Sequence, residues 1–463
     1  MHYHNYTDKC TSTNHKTQTI NHEMLTIHHW PSEMTPECLS LKKNIIKMFG
    51  IIFWFWGILS SISASQQQPV YQYRNGQWFD GNQFIKKEMY SVNGVWVDRA
   101  PAKIDSVIDL KDKFIIPPLS EAHTHSLDGI GNYTQTIASY LRDGVFYVKN
   151  PNSVKPWTDK IRGLVNVPGS LDATFSNGGL TCNGGHPEIL YEDRVRVHLG
   201  SLVENLPKGW FKSKSYFTID SEKDFNEQWD IIKQGKPDFI KVYLANSDDI
   251  GRTAPTTKYT LRKGLTPQLV KLIVQRAHRE GFRVSAHVET RIDFVNAINA
   301  NVDEVTHTPG FYLFSKDEIS RYQLTEEDAR LAAKKKVYVV TALLSRNLTE
   351  DESLFPLVEQ TQASNLKLLY KHGVKIAIGS DHAQSPKDEV KALQKLGVFD
   401  NNTILRLWCQ VTPETIFPGR KLGHFKNGYE ASFIALDGNP SASLDNISKI
   451  SLRVKQGKII NPK

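Results

Sequence analysis

Cysteine is scarce, with four in 463 residues. Cys10 and Cys38 precede the segment read below as a cleaved leader, which leaves Cys182 and Cys409. Two cysteines do not make a disulfide framework, so the fold has to rest on a buried core, and whether that pair is bonded stays open. Blocks of like charge are missing as well. The net charge is +8 and the pI near 9.0, but Lys and Arg are scattered rather than gathered into arms, which argues against a nucleic-acid partner. No apolar run reaches the roughly 20 residues of a spanning helix. No internal repeat is visible, and the glycine-rich segment 177–187 lacks the Gly-Lys-Ser/Thr ending of a phosphate loop.

The first part of the chain differs from the rest. Residues 1–65 are rich in His, Thr and Asn and show no sustained apolar period until Lys42, Lys43 and Lys47, which are followed by the apolar run 48–59 and the small-residue stretch 60–65. Basic, apolar and small-residue regions in that order are the parts of a secretory leader. Cleavage is expected near Ala64 or Ser65, with export to a periplasmic or extracellular site and no stable membrane insertion afterwards. Residues before about Leu41 have no place in such a leader and are read as a non-native extension.

The mature chain divides by pattern. Residues 66–113 are strand-like, with turns at Asn75-Gly76, Asp80-Gly81 and Asn93-Gly94. From 114 to 412 short apolar strands alternate with longer amphipathic stretches, the signature of βα units around a parallel sheet. Candidate strands are 114–116, 145–148, 170–175, 239–244, 284–288, 304–307, 337–343 and 375–378. Thr266 is placed to cap a helix that Pro267 begins and Gly281 stops. The expected fold is a (β/α)8 barrel of the TIM type. Residues 413–463 return to β character and are expected to join 66–113 in a small β-sandwich domain.

The chemistry sits at the ends of the candidate strands. His123 and His125 alternate after the first strand, so both imidazoles share a face. Lys241 interrupts the fourth strand, His287 and His307 end the fifth and sixth, and Asp381 follows the eighth. In an α/β barrel these C-terminal ends converge on one face. Six ionisable groups gathered there need partners or ions. Lys241 alone also reads as a salt-bridged or snorkelling lysine, and Asp381 as a ligand only. His186 in the glycine-rich segment, a stretch suited to closing over a substrate, and Tyr243, on the same strand face as Lys241, are candidates to contact a substrate carbonyl. Arg346 reads as a surface arginine or a contact for a substrate carboxylate.

The ordered set resembles the amidohydrolase superfamily, in particular its exported, prolidase-like and imidazolonepropionase-like members. It comprises a His-x-His after strand one, a Lys in strand four, single His residues after strands five and six, an Asp after strand eight, and the tail from Pro418 through Pro440. The lead-in Pro117-Pro118-Leu119-Ser120-Glu121 departs from the usual Pro-Gly-Leu-Ile-Asp: Glu121 keeps a carboxylate, while Pro118 in place of Gly alters the turn. The resemblance implies that His123, His125 and Asp381 hold one divalent ion, His287 and His307 a second, and that Lys241, carboxylated on its amine, bridges them. Zinc suits these donors. It further implies cleavage of an amide C–N bond in a small molecule, dipeptide-like or cyclic, by a metal-activated hydroxide, with Asp381 as general acid/base. A one-metal deaminase or cyclic-amide hydrolase is the rival within the fold, and a non-catalytic exported binding protein the rival outside it. The sequence leaves homo-oligomerisation open.

Overall fold

The computed structural model describes residues 69–128, 132–195, 199–200, 203–247, 263–313, 315–349, 351–381 and 385–462. The expected leader and the extension before it lie outside the described residues. Described residues from position 69 onward belong to one compact unit, Gln68–Lys463.

Strands β1 (Tyr71–Phe79), β2 (Phe84–Val92), β3 (Val95–Val97), β4 (Ser106–Asp109) and β5 (Phe114–Ile116) open a mixed sheet. The chain then leaves it for β6 (Leu119–Glu121), β7 (Val145–Asn150), β8 (Asp172–Phe175), β9 (Gly179–Thr181), β10 (Tyr216–Thr218), β11 (Ile240–Tyr243), β12 (Val284–His287), β13 (Glu304–Thr306), β14 (Tyr338–Val340) and β15 (Lys375–Ala377). It returns as β16 (Phe433–Leu436), β17 (Ile450–Lys455) and β18 (Lys458–Ile459), giving the order β18-β17-β16-β5-β1-β2-β3 with β4 also on β1. The N- and C-terminal segments therefore share one continuous hydrogen-bonded ladder, in which β3 also bridges to Glu430 just before β16. Its own core is aromatic: Tyr73, Trp78, Trp96, Phe425 and Phe433 pack largely edge to face, with Trp78 and Phe425 centroids 4.8 Å apart. Edge-to-face geometry sets the positive rim of one ring on the negative face of the next.

The segment 114–116, read as the first barrel strand, instead pairs with β1 and β16 in the mixed sheet. The first barrel strand is β6, three residues on, paired in parallel with β7. Pro117 and Pro118 divide the two ladders because neither has a backbone N–H to donate.

The parallel strands form two arcs, β6-β7-β8 and β10-β9-β11-β12-β13-β14-β15. Backbone hydrogen bonds join both seams: Asp238 N–H donates to the Phe175 carbonyl at 2.8 Å at one, and Ala122 N–H to the Ile378 carbonyl at 2.9 Å and Asp381 N–H to the His123 carbonyl at 2.8 Å at the other. The result is a barrel-like α/β fold in which the continuous eight-strand ladder is replaced by two arcs. The glycine-rich segment expected as a lid begins as the buried strand β9. Glycine is required there by close approach, since a Cβ on Gly179 would lie 2.4 Å from Tyr243 Cε2.

Helices follow the strands and cover them. Thr266 accepts the Leu269 N–H to cap helix Pro267–Arg279, whose Val270, Ile273, Val274 and Ala277 are buried. Thr290 and Asp293 form a reciprocal capping box on Arg291–Asn299. Such caps satisfy N–H groups that the first helical turn leaves unpaired. Among the described residues no helix is long and apolar enough to cross a membrane. Cys182 and Cys409 are both free thiols.

Candidate metal centre

The ends of β6, β11, β12, β13 and β15 supply the site. Parallel register sets Tyr243 beside His287 and His287 beside Thr306, so consecutive strands deliver their side chains at one level. His123, Lys241, His287 and His307 are buried, and His125 and Asp381 half-buried.

Asp381 is the hub. Its Oδ1 lies 2.9 Å from His123 Nε2 and 3.1 Å from His125 Nε2, and its Oδ2 3.6 Å from His307 Nε2. His123, His125 and Asp381 each offer a ligand atom, all within 4.8 Å of one another. The His123 and His307 rings lie 5.4 Å apart, and His307 and His287 4.8 Å. Phe311 stacks on His307 at 4.2 Å and fixes its plane.

The charge states of His123, His307 and Asp381 suit a cation. At His125 burial is outweighed by Asp128 and Asp381, which raise it to about 10, so His125 would release a proton on binding one. Burial lowers His123 to about 4 despite the opposing pull of Asp381. Burial likewise drives His307 well below the usual imidazole range. Both rings are neutral near pH 7 and keep a lone pair to offer. Burial works against ionisation of Asp381, but the imidazoles of His123 and His307 and hydrogen bonds from His123 and His125 hold it well below the usual carboxylate range. Among the described residues Nδ1 of His123 and of His307 is buried without a hydrogen-bond partner. Buried polar atoms are normally satisfied. Neutral imidazoles facing an ionised carboxylate at these distances fit a divalent ion of the zinc class.

Lys241 is buried, with Nζ 3.4 Å from Thr306 Oγ1. Burial lowers its ammonium to about 7, with Lys149 acting in the same direction and Glu304 and Asp381 against it. A neutral amine is the form that can be carboxylated, whereas an ammonium cannot ligate a cation. Below it Ser285 Oγ reaches both Thr306 Oγ1 and Glu304 Oε1, and Glu304 pairs with Lys149 at 2.8 Å inside the barrel.

Half-buried His186 packs against Tyr243 at 5.1 Å and His287 at 5.0 Å between ring centroids. These three rings form a wall beside His307. The Arg346 side chain lies outside the described residues.

Several groups that sequence reasoning missed complete the surroundings. Asp128 accepts His125 Nδ1–H at 2.6 Å and Asn150 Nδ2–H at 2.7 Å. Glu289 lies 3.2 Å from His287 Nε2 and accepts the Tyr312 hydroxyl at 2.5 Å. Glu121, noted only as part of the lead-in, accepts the His123 and Ser380 N–H groups, each at 2.9 Å, and so ties the end of β6 to the turn before Asp381. The His287-Val288-Glu289 run at the end of β12 could have singled out Glu289; no local pattern marks Asp128.

The amidohydrolase family profile matches residues 195–460, more than half of the chain. Ochratoxinase of Aspergillus niger is 26% identical over 182 residues, a match spanning 38% of this chain and 36% of that relative. The crystal structure of A. niger ochratoxinase superposes with a TM-score of 0.65 at 16% identity, covering 85% of this chain and 96% of that one. A Xaa-Pro dipeptidase with methionine bound in its active site gives a TM-score of 0.64 at 16% identity, covering 85% of this chain and 100% of the other. Likeness at that identity speaks for the fold, and the profile match for the lineage: this chain belongs to the amidohydrolase family.

Proposed function

We propose that the protein is a metal-dependent hydrolase that cleaves the amide C–N bond of a small, dipeptide-like or N-acyl amino acid substrate. The observation that carries the reading is the convergence of His123, His125 and Asp381 ligand atoms within 4.8 Å, with His307, His287 and Lys241 around them. Family membership supports hydrolytic chemistry, and the dipeptide-like form of the substrate is taken from the Xaa-Pro dipeptidase of like fold. His123, His125 and Asp381 would hold one ion, His287 and His307 a second, with carboxylated Lys241 between them. Bound zinc supplies Lewis-acid polarisation of a carbonyl and lowers the pKa of water.

The chain's own residues do the rest. Asp381 takes a proton from the attacking water and delivers it to the departing nitrogen as the C–N bond breaks. His186 and Tyr243, half-buried and buried beside His287, orient the substrate carbonyl. Buried walls of Phe311, Tyr312 and Val288 limit water near the reacting atoms. Export rests on the leader pattern of residues 42–65 alone.

The test is hydrolysis of a panel of dipeptides and N-acyl amino acids by zinc-reconstituted protein, with chelated protein and Asp381→Asn alongside. Activity that needs both the metal and the carboxylate supports the reading. Release of ammonia from ring amines instead would move it to deamination.

A further inference from the structure

Asp381 is held by a hydroxyl as well as by the histidines. Ser345 Oγ donates to Asp381 Oδ2 at 2.9 Å, while Oδ1 faces His123 and His125. Ser345 is buried in the 3-10 turn Leu343–Leu348, just past β14. That turn is itself held. The N–H groups of Leu343 and Leu344 donate to the two oxygens of Glu389 at 2.8 and 3.0 Å, and Glu389 is fully buried on helix Pro386–Lys395. Immediately before the turn, Ala342 has φ +55° and donates its N–H to the Gly379 carbonyl at 2.8 Å. Asp381 has φ +51°. Left-handed alanine and aspartate, one after each of two adjacent strands, persist only where the surroundings over-determine them.

A carboxylate's terminal torsion is broad and two-fold, so Asp381 would exchange its oxygens unless one were fixed. A hydroxyl is suited to fixing it, because it donates to an ionised oxygen and accepts from a protonated one. We propose that Ser345 is a positioning residue for Asp381 and that Glu389, through the turn it clamps, sets Ser345 in place. Ser345 thereby fixes Oδ2, which also lies 3.6 Å from His307 Nε2, while Oδ1 faces His123 and His125. In the reaction a C–O bond forms from water and the C–N bond breaks. The proton leaving water is held by the Asp381 carboxyl, kept in place by Ser345, until it passes to the departing nitrogen. This inference rests on Asp381 acting as general acid/base.

The experiment compares parent, Ser345→Ala and Ser345→Thr on any amide of the panel that the parent cleaves, and on the matching p-nitrophenyl ester. The ester's leaving group needs no proton. Elemental metal content and melting temperature are measured on each protein. The expected result for Ser345→Ala is a fall in amide kcat of about tenfold to a hundredfold, the scale of a misplaced catalytic group, with KM and metal content kept. Ester turnover should fall much less, Ser345→Thr should recover most of the amide rate, and Glu389→Gln should reproduce the amide-selective loss. Equal losses on amide and ester would overturn the inference in favour of a purely structural role, as would an unchanged Ser345→Ala. A metal-loaded parent that cleaves no amide in the panel would sink the acid/base reading and this inference with it, whereas an active parent with an indifferent Ser345→Ala sinks the inference alone.

Discussion

His123 and Asp381 are joined twice: Nε2 lies 2.9 Å from Oδ1, and the Asp381 backbone N–H donates to the His123 carbonyl at 2.8 Å. The second bond fixes the distance between the end of β6 and the turn after β15. The first then sets imidazole and carboxylate on one point. The two residues are more than 250 positions apart in sequence, so the seam between the arcs, where Ala122 meets Ile378, is what assembles the site.

Gly379 makes that seam close enough. A Cβ there would lie 2.8 Å from the His123 backbone nitrogen and 2.5 Å from Val340 Cγ1, and neither backbone nor strand neighbour can yield cheaply. Gly379→Ala is expected to cost about 1–3 kcal/mol of stability by overpacking and to lower metal retention. Thermal melts with elemental analysis check both, and full retention would mean that the seam tolerates more movement than these distances allow.

Asp128 is expected to act on the metal through His125. It holds Nδ1 at 2.6 Å and is itself held by Asn150 at 2.7 Å. Carboxylate partners of ligating histidines fix ring orientation and raise basicity, and their loss weakens binding by about 10–100-fold. Chelator competition on Asp128→Asn measures this. An unchanged affinity would remove His125 from the ligand set or Asp128 from its support.

How much of this could be read beforehand divides by physics. His123, His125, Lys241, His287, His307 and Asp381 are singled out because strand ends of a parallel barrel converge; the structure groups the ligand atoms of His123, His125 and Asp381 within 4.8 Å, with the His307 and His287 rings next to them and Lys241 buried on a neighbouring strand. The positions of β7, β8 and β11 to β15 follow from apolar runs bounded by turns and caps, whereas β6, β9 and β10 are not among the candidate strands. The placement of 114–116 was not legible, since a three-residue apolar run carries no sign of which ladder it joins; only the pairing with β1 and β16 decides that. The glycines of 177–187 read as a loop because glycine is scarce in strands, yet Gly179 is there to admit the Tyr243 ring. Ser345 and Glu389 act through a turn and a helix distant in sequence from the residues they hold, whereas Asp128 lies three residues after His125, beyond the strand, where no strand period marks it.

The ion pair inside the barrel makes a prediction about stability. Lys149 and Glu304 are both buried, and Glu304 also accepts from Ser285 and Thr415. Glu304→Gln leaves an uncompensated ammonium among apolar neighbours, and breaking such a pair costs about 3–5 kcal/mol. The double change Lys149→Met with Glu304→Leu should recover most of that loss in denaturant melts. If Glu304→Gln alone melts like the parent, the pair is solvated or unneeded.

Acid should loosen the contact between the mixed sheet and the barrel. Burial of Glu430 opposes ionisation, but Arg420 and hydrogen bonds from Tyr147 and Gln456 outweigh it and lower its pKa below the ordinary 4.5. Because the folded value is the lower one, the stability this group contributes is full above the unfolded pKa and is lost as pH falls through the folded one. Urea melts from neutral to about pH 3 should therefore show a decline that Glu430→Gln flattens. Identical pH slopes in parent and variant would exclude Glu430 as a source.

The central claim is the metal centre itself, and metal content tests it most directly. Elemental analysis of the purified protein, reconstituted with zinc and dialysed, is made beside Lys241→Ala. The account predicts about two ions per chain in the parent, the number a bridged centre holds, and fewer in the variant. A parent that binds no metal after reconstitution would contradict it, and about one ion in both proteins would take Lys241 out of the ligand set.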